Sequence, residues 1–516
     1  MIDPRTPVLI GAGQYTHRGD ALTCPAPIGL LELASRAAAA DAGLAEGALS
    51  DIDALGVVGF TIDAGGPSSR LPVPKAANPP NALAARLGAD PAHRTYTHPG
   101  GNTPQSLVNA FAERIAAGQS DFALIVGAEF LGALMKRVKA GALEGLRDWD
   151  IPDAQAPAMY GDGRPGCTKH ERRHGLEFPA NVYPIFENAY RAHLGRSMTD
   201  HQAAMGALMA PFTEVAAKNP YAWFPRRKSA AELSTAGHGN RMVGFPYPKF
   251  LNSIIQVDQS AGVIMASYEK ACALGVPKDR MVFLHGCSDT TELWNVTDRV
   301  NYHSSPAIRI GARVALAMAG KSADEMAFFD LYSCFPIAVE LACAEIGVPT
   351  DDPRGLTLTG GLPYFGGPGN NYTMHGIAEA VARCRREPDA FGLVTANGWF
   401  LTKHAMGVYS ATPVERPWVR YDRAGPQAEI DAMEHPEVTE EPQGPATIEA
   451  YTVVHAREGY RMGIVIGRDA GGRRFVANTP EGDVAMMQAL EAEEGVGRSG
   501  VVTTREGRSV FRLELT

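Results

Sequence analysis

Three sets of residues in this sequence have types and spacing suited to chemistry. The first is a cationic run, Arg226, Arg227 and Lys228, directly after Trp223 and Phe224. Guanidinium forks match phosphate oxygens and flat aromatics pack on a heterocycle, so the stretch suits a nucleotide-like anion; the plainer reading is a solvated face. The second is polar and gathers in the last third of the chain: Tyr332, Asn397 and His404, the last preceded by Lys403. A phenol or amide can donate to a carbonyl oxygen, and an imidazole can take up or release a proton near neutral pH, with Lys403 lowering its pKa or facing solvent. The third is glycine backbone at Gly366, Gly367 and Gly398, where a ligand can approach the main chain. Beside these, Asn102 reads as a helix N-cap, His98 and His375 as structural histidines at helix starts, and Asn370 and Asn371 as turn residues.

Composition narrows the chemistry. The 516 residues are 45% hydrophobic and 20% charged, with 55 Gly and 37 Pro, which describes a loop-rich globular chain with room for about three domains. Seven cysteines lie scattered without a CxxC pair or a metal-ligand rhythm, so they read as reduced thiols, and no metal site is expected. A net charge of −9 offers nucleic acid no general attraction. The first residues lack a basic segment followed by an apolar one, and no apolar run reaches the about 18 residues of a membrane span. A cytoplasmic protein is expected.

The elements that must position these groups repeat along the chain. Residues 6–15 predict a strand, 29–42 an alanine-rich helix ending at Gly43, and 54–60 a second strand. Residues 104–118 and 121–129 then predict a helix and a buried strand. Residues 307–320 and 326–332, followed by 374–386 and 391–398, replay these units in the same order, so two homologous α/β halves are expected around a shared helical layer. Between them, about 130–250 has weak periodicity and reads as an inserted loop domain. The divisions are 1–270 for the first half with its insertion, 271–415 for the second, 416–446 for an acidic, proline-rich linker and 447–516 for a tail. The tail alternates as strands at 447–455, 461–468, 473–477 and 501–515, with a helix at 484–494, an order consistent with an OB-like barrel. Its nine Arg stand against ten Asp plus Glu, which argues against nucleic acid and for docking, ligand covering or dimer control.

In this order and spacing, five segments resemble the thiolase superfamily: 98–107 (His-Pro-Gly-Gly-Asn-Thr-Pro-Gln-Ser-Leu), 257–262, 330–336, 360–371 and 395–404. The resemblance covers about 6–410, is strongest to the sterol-carrier-protein branch, and is closest to thiolase-like proteins of type 1, which append a further β-domain. It implies a five-layered αβαβα fold and an acyl-CoA, the coenzyme A thioester being substrate or ligand rather than a bound cofactor. It also implies a homodimer, or a partner protein engaged through the C-terminal domain.

The same resemblance places Gly101 where the family carries its nucleophilic cysteine, at a helix start whose dipole favours a thiolate. Tyr332-Ser-Cys334-Phe stands in for the motif that fixes the oxyanion-hole water. Gly367 takes the place of the activating histidine. Ala396-Asn-Gly398 replaces the motif of the second cysteine, with Asn397 first on a one-residue shift. Losing a covalent nucleophile costs about a million-fold in rate, about 8 kcal/mol, so ordinary thiolysis is not expected. The catalytic candidates are then His404, Tyr332 and Asn397, acting on a thioester without a covalent intermediate. Ligand contacts are expected from Gly101, Asn102, Gly367, Gly398, Arg226 and Arg227. The alternative is a non-catalytic acyl-CoA-binding or scaffold subunit acting through the tail.

Overall fold

A computed structural model of the chain describes residues 2–63, 73, 75–142, 146 and 149–514. The first half comprises β1 (Pro7–Thr16), α1 (Pro27–Asp41), β2 (Ala54–Val57), α2 (Pro79–Leu87), β3 (His93–Thr97), α3 (Thr103–Ala116) and β4 (Phe122–Phe130). The insertion carries α4 (Leu131–Ala140), β5 (Met159–Tyr160), α5 (Lys169–Arg173), α6 (Pro179–His193), α7 (Met198–Lys218), α8 (Ala230–Ser234), β6 (Met242–Gly244) and β7 (Tyr247–Pro248). β8 (Asp258–Ser267) and α9 (Tyr268–Ala273) close the half. The second half is β9 (Val282–Thr291), α10 (Pro306–Ala319), β10 (Phe328–Asp330), α11 (Pro336–Ile346), α12 (Tyr372–Arg386), β11 (Gly392–Gly398) and β12 (Lys403–Ser410). After α13 (Ala424–Asp431) the tail comprises β13 (Gly444–His455), β14 (Tyr460–Asp469), β15 (Arg474–Asn478), α14 (Val484–Ala492), β16 (Ser499–Arg505) and β17 (Arg508–Leu513).

The expected repeat is visible in the pairing. In the first half β2 runs parallel to β4, which is followed outward by antiparallel β8 and β1; in the second, β10 runs parallel to β11, followed by antiparallel β12 and β9. The two sheets touch through β1 and β9 at only Val8–Phe283 and Leu9–Val282. Strand β4 shows how its residues demand two buried faces: Phe122, Leu124 and Val126 join one core with α1, while Ala123 and Ile125 join another with α3. That second core holds Leu107 and Phe111 of α3 and Ile377 and Val381 of α12, with Leu284 and Val394 of the second sheet on their far side. α10 and α11 cover the outer face of the second sheet. The layers are therefore αβαβα, with α3 and α12 in the middle.

The insertion, expected as loops of weak periodicity, is largely helical. Val182, Ile185, Phe186 and Ala189 line one face of α6, and Met205, Leu208, Met209 and Phe212 one face of α7. Pro184 and Pro211 sit inside these two helices and interrupt the pattern a reader follows.

The tail closes into a five-stranded barrel in the order β13, β14, β15, β17, β16 and back to β13, with α14 between β15 and β16. Met486, Met487 and Leu490 of α14 pack into the barrel core against Tyr451, Val465, Phe475 and Phe511. This is the OB-like order. The strand expected over 501–515 is instead a hairpin, β16 and β17, because Glu506 (φ 50°) and Gly507 (φ 70°) both turn left-handed between Arg505 and Arg508; Leu515 lies outside the described residues. The barrel is tied to the body at several points. Val454 of β13 pairs with Gly244 of β6. The fully buried Arg474 bonds Glu449 at 2.9 and 2.6 Å and the carbonyl of Thr297 at 2.9 Å. Arg191 of α6 forks onto Glu494 at 2.7 Å through both nitrogens.

Candidate active site at the start of the central helix

The middle-layer helices begin side by side. Gly100 N–H donates to Asn370 Oδ1 at 2.9 Å, and Thr373 Oγ1 donates to the Gly101 carbonyl at 3.2 Å, so the starts of α3 and α12 are stitched together. The positive end of the α3 dipole points into this junction. Tyr332 reaches it from the loop after β10, its N–H donating to Thr395 Oγ1 at 2.9 Å and its ring standing edge-on to Tyr372 at 5.5 Å. A β-carbon on Gly101 would lie 2.9 Å from Tyr332 Cζ, and would overlap the Tyr332 hydroxyl and the Asn397 carbonyl. The phenol thus occupies the room a side chain on Gly101 would need. Burial pushes the Tyr332 hydroxyl well above the ordinary tyrosine range, so it stays protonated and can donate.

The hairpin of β11 and β12 sorts the remaining candidates by face. Asn397 pairs across from His404, and Gly398 across from Lys403. Consecutive strand residues point to opposite faces, so Asn397 and His404 share one side and Lys403 lies on the other. Tyr332, Asn397 and His404 do meet, lining a cavity of about 10 Å³ with Thr395, Leu401 and Met406. That is room for about one water molecule. His404 Nε2 bonds the Leu401 carbonyl at 3.1 Å, and burial lowers its pKa to about 3, which keeps the ring neutral. Asn397 Nδ2 donates to Tyr183 Oη at 2.8 Å, and Tyr183 donates to the Trp399 carbonyl at 3.0 Å; Asn397 Oδ1 has no partner. Cys334, 4.0 Å from Asn397 Nδ2, has its thiol pushed up to about 12 by burial and is no thiolate.

On the opposite side, a β-carbon on Gly398 would overlap Asn102 Oδ1. Asn102 was expected to cap α3, but its backbone is already helical (φ −75°, ψ −20°) and its amide turns along the helix to Ser106 Oγ at 3.2 Å. The amide therefore does not cap the helix start. Lys403, expected to tune His404 or face solvent, is 5% exposed and donates to the Pro99 carbonyl at 2.5 Å.

Gly367 lies on a neighbouring loop, its N–H bonded to the Ile254 carbonyl at 2.8 Å, and a β-carbon there would overlap Ser253 Oγ. The cationic run is anchored to the same loop, through Trp223 N–H to the Phe365 carbonyl at 2.7 Å and Phe224 N–H to the Tyr364 carbonyl at 3.0 Å. Arg226 and Arg227 are exposed beside it.

Two features had no foretelling signal in the sequence. Tyr183 comes from α6 of the insertion, and nothing in its surroundings marks it as a neighbour of Asn397. Glu187, His201 and Glu340 converge, fully buried, between α6, α7 and α11, with ligand-type atoms within 4.8 Å of one another. His201 Nε2 and Glu187 Oε1 are 2.5 Å apart, a direct hydrogen bond that leaves no ion's width between them. A proton held between the carboxyls, with Tyr247 also donating to Glu187, accounts for the cluster.

Comparison with known proteins follows this architecture. Among solved structures, an acetyl-CoA acetyltransferase from Syntrophomonas wolfei matches at TM-score 0.53 and 14% identity, over 80% of this chain and all of that one. The Ltp2-ChsH2(DUF35) aldolase matches at TM-score 0.59 and 17% identity over the same shares. These two likenesses show the thiolase fold. A monomeric SCP2-thiolase like protein type 1 from Mycobacterium smegmatis is 38% identical over the full length of both chains, at TM-score 0.84. The family model of the thiolase-like protein type 1 additional C-terminal domain matches residues 426–507. The chain belongs to the thiolase-like proteins of type 1, within the thiolase superfamily. No curated protein sequence matches it. Among the described residues no helix is long and apolar enough to cross a membrane.

Proposed function

We propose that this protein makes or breaks a carbon–carbon bond next to the thioester of an acyl-CoA, by aldol-type chemistry that needs no covalent enzyme intermediate. The observation that carries the reading is the Tyr332 hydroxyl standing in the room of a Gly101 side chain, at the positive end of α3. In the cleavage direction the β-hydroxyl of a 3-hydroxyacyl-CoA loses its proton and the C2–C3 bond breaks. The β-carbon leaves as a ketone or aldehyde, and the electron pair passes to the thioester as an enolate that takes a proton at C2. A buried, protonated phenol suits the enolate oxygen, because a donor fixed in advance stabilises charge without reorganising. The aldolase named among the similar folds lends the reaction type, and the superfamily lends the thioester. Arg226 and Arg227, beside the Gly367 loop, are the groups for the coenzyme's phosphates.

The test is release of acetyl-CoA or propionyl-CoA from a panel of 3-hydroxyacyl-CoAs, followed by chromatography. Tyr332→Phe keeps the ring and removes the donor; a fall of about 10²–10³ in kcat with an unchanged melting temperature is expected. No release above that of the Phe variant overturns the reading. The water-sized cavity at Tyr332, Asn397 and His404 favours a second reading in that event, a non-catalytic acyl-CoA-binding subunit. The Mycobacterium relative being monomeric, and the barrel being tied to its own body, favour a monomer over a dimer built through the tail.

A further inference from the structure

Lys403 is a buried amine that the reading above leaves unused. It opens β12 opposite Gly398, on the face of the hairpin turned toward Asn102 and the start of α3. Its Nζ donates to the Pro99 carbonyl and stands 6.0 and 5.9 Å from the ring centres of Trp294 and Trp399. A β-carbon on Gly100 would lie 2.5 Å from Asn102 Oδ1 and 2.7 Å from Lys403 Nζ, so amide oxygen and amine reach the same spot above a glycine floor. Asn102 Oδ1 has no hydrogen-bond partner, and neither has Trp399 Nε1. The turn that carries Trp399 is strained: Trp399 (φ 56°) and Leu401 (φ 54°) are both left-handed and neither is glycine. Strain of this kind persists where surrounding structure over-determines it, characteristically at ligand clamps and active sites.

The electrostatics suit a proton acceptor. Burial lowers the Lys403 pKa to about 8; Asp162 opposes the shift and Arg164 adds to it. Asp162 is itself paired with Arg164 at 2.6 Å, and Arg164 lies over Trp294 at 3.9 Å. The charged groups facing the amine thus leave it without an anion of its own, and a useful fraction is neutral near physiological pH.

We propose that Lys403 is the base of the reaction, taking the proton from the substrate's β-hydroxyl while Asn102 Oδ1 accepts from the ammonium so formed. This rests on the carbon–carbon reading of the site. The hydroxyl proton moves to Nζ, the C2–C3 bond breaks, and the electron pair goes to the thioester oxygen. C2 then takes a proton from solvent, and the ammonium returns its proton to solvent, which restores the site. The substrate class is a 3-hydroxyacyl thioester whose β-oxygen enters beside Gly100.

The experiment has two arms. In the first, kcat/KM for acyl-CoA release is followed against pH. Wild type is expected to rise toward a plateau through a group near pH 8, the Lys403 value. Lys403→Met is expected to lose about a hundred-fold or more and to lack that limb, Lys403→Arg to be equally slow, and ethylamine to restore part of the rate of Lys403→Ala. An Arg variant within a few-fold of wild type, or a limb that persists in the Met variant, overturns the assignment. The second arm labels the wild-type chain with acetic anhydride across pH and reads the peptide carrying Lys403 by mass spectrometry. Half-labelling near pH 8 and shielding by acetoacetyl-CoA are expected; labelling like a surface amine overturns the proposal whatever the turnover. No turnover by wild type, with Lys403 shielded and half-labelled near pH 8, overturns the carbon–carbon reading instead.

Discussion

A side chain on Gly101 and the phenol of Tyr332 would claim the same space: the β-carbon would fall 2.9 Å from Tyr332 Cζ and inside the reach of its hydroxyl. Position 101 therefore has a packing reason to be glycine in this chain, and a larger residue does not fit there by one substitution. Gly101→Ala is expected to destabilise by about 1–3 kcal/mol through overpacking. Tyr332→Ala opens a cavity and also destabilises, but the double variant should cost less than the two combined, because removing the phenol relieves its overlap with the new β-carbon and leaves only that with the Asn397 carbonyl. Urea unfolding of the four proteins checks this, and simple additivity would show that the two positions do not compete.

Much of the body could be read from the sequence, for identifiable reasons. The continuous apolar run of β4 and the helical spacing in α1 and α3 are strong local signals, and each recurs in the second half, so the repeat could be found without structure. The barrel's last hairpin could not, because its turn is Glu506-Gly507 rather than Asn-Gly or Asp-Gly, and a non-glycine residue turning left-handed at 506 leaves little trace. At the site, the motif resemblance supplies Tyr332, Asn397 and His404 as a group. It does not say that strand alternation turns His404 away from Gly100 and turns Lys403 toward it, since that depends on where β12 starts. Tyr183 was illegible altogether, because only the tertiary packing of α6 brings it to Asn397.

One of the barrel's buried attachments centres on a cation. Arg474 is fully enclosed between Glu449 of the barrel and the carbonyls of Thr297, Arg299 and Val300 of the body. Arg474→Met removes the donors and leaves those carbonyls and part of Glu449 unanswered, which should cost about 3 kcal/mol or more. The loss should appear first as loosening of the barrel, read by faster tryptic cleavage between residues 416 and 443 under native conditions. Unchanged cleavage would mean that the barrel's other attachments, among them the Arg191–Glu494 fork, the Ser509–His174 bond and the packing of Ile464 and Ile466 on the body, hold it without Arg474.

Glu187 and Glu340 give stability a pH dependence whose sign is fixed. Burial raises both carboxyls above the ordinary glutamate value, so the folded chain keeps protons that the unfolded chain releases. Their contribution is complete below the unfolded pKa and is lost as pH rises through the folded one. His201, lowered by burial, acts the other way on the acid side. Glu340→Gln mimics the protonated partner permanently. Its melting temperature should therefore fall less than that of wild type as pH rises above the ordinary glutamate range, while Glu340→Ala leaves a cavity and lowers the melting temperature throughout. Parallel curves for wild type and the Gln variant would remove Glu340 from the proton-sharing pair.

The coenzyme reading turns on Arg226 and Arg227, which are exposed, and on Trp223 and Phe224, whose backbone is pinned to the Gly367 loop. Two guanidiniums on a phosphate in water each contribute modestly, so Arg226→Ala/Arg227→Ala should weaken coenzyme A binding about tenfold, or about 1.4 kcal/mol, at low salt. Because the pairs are exposed, the difference should shrink as ionic strength rises toward about 1 M, where the Debye length falls to about 3 Å. Trp223→Ala, which removes an aromatic surface and no charge, should weaken binding by an amount that salt leaves unchanged. Calorimetric titration with coenzyme A and acetyl-CoA across this salt series separates the two contributions. A double variant that binds as wild type does at low salt would move the phosphates away from this segment. Loss of binding in the Trp223 variant alone would keep the adenine there.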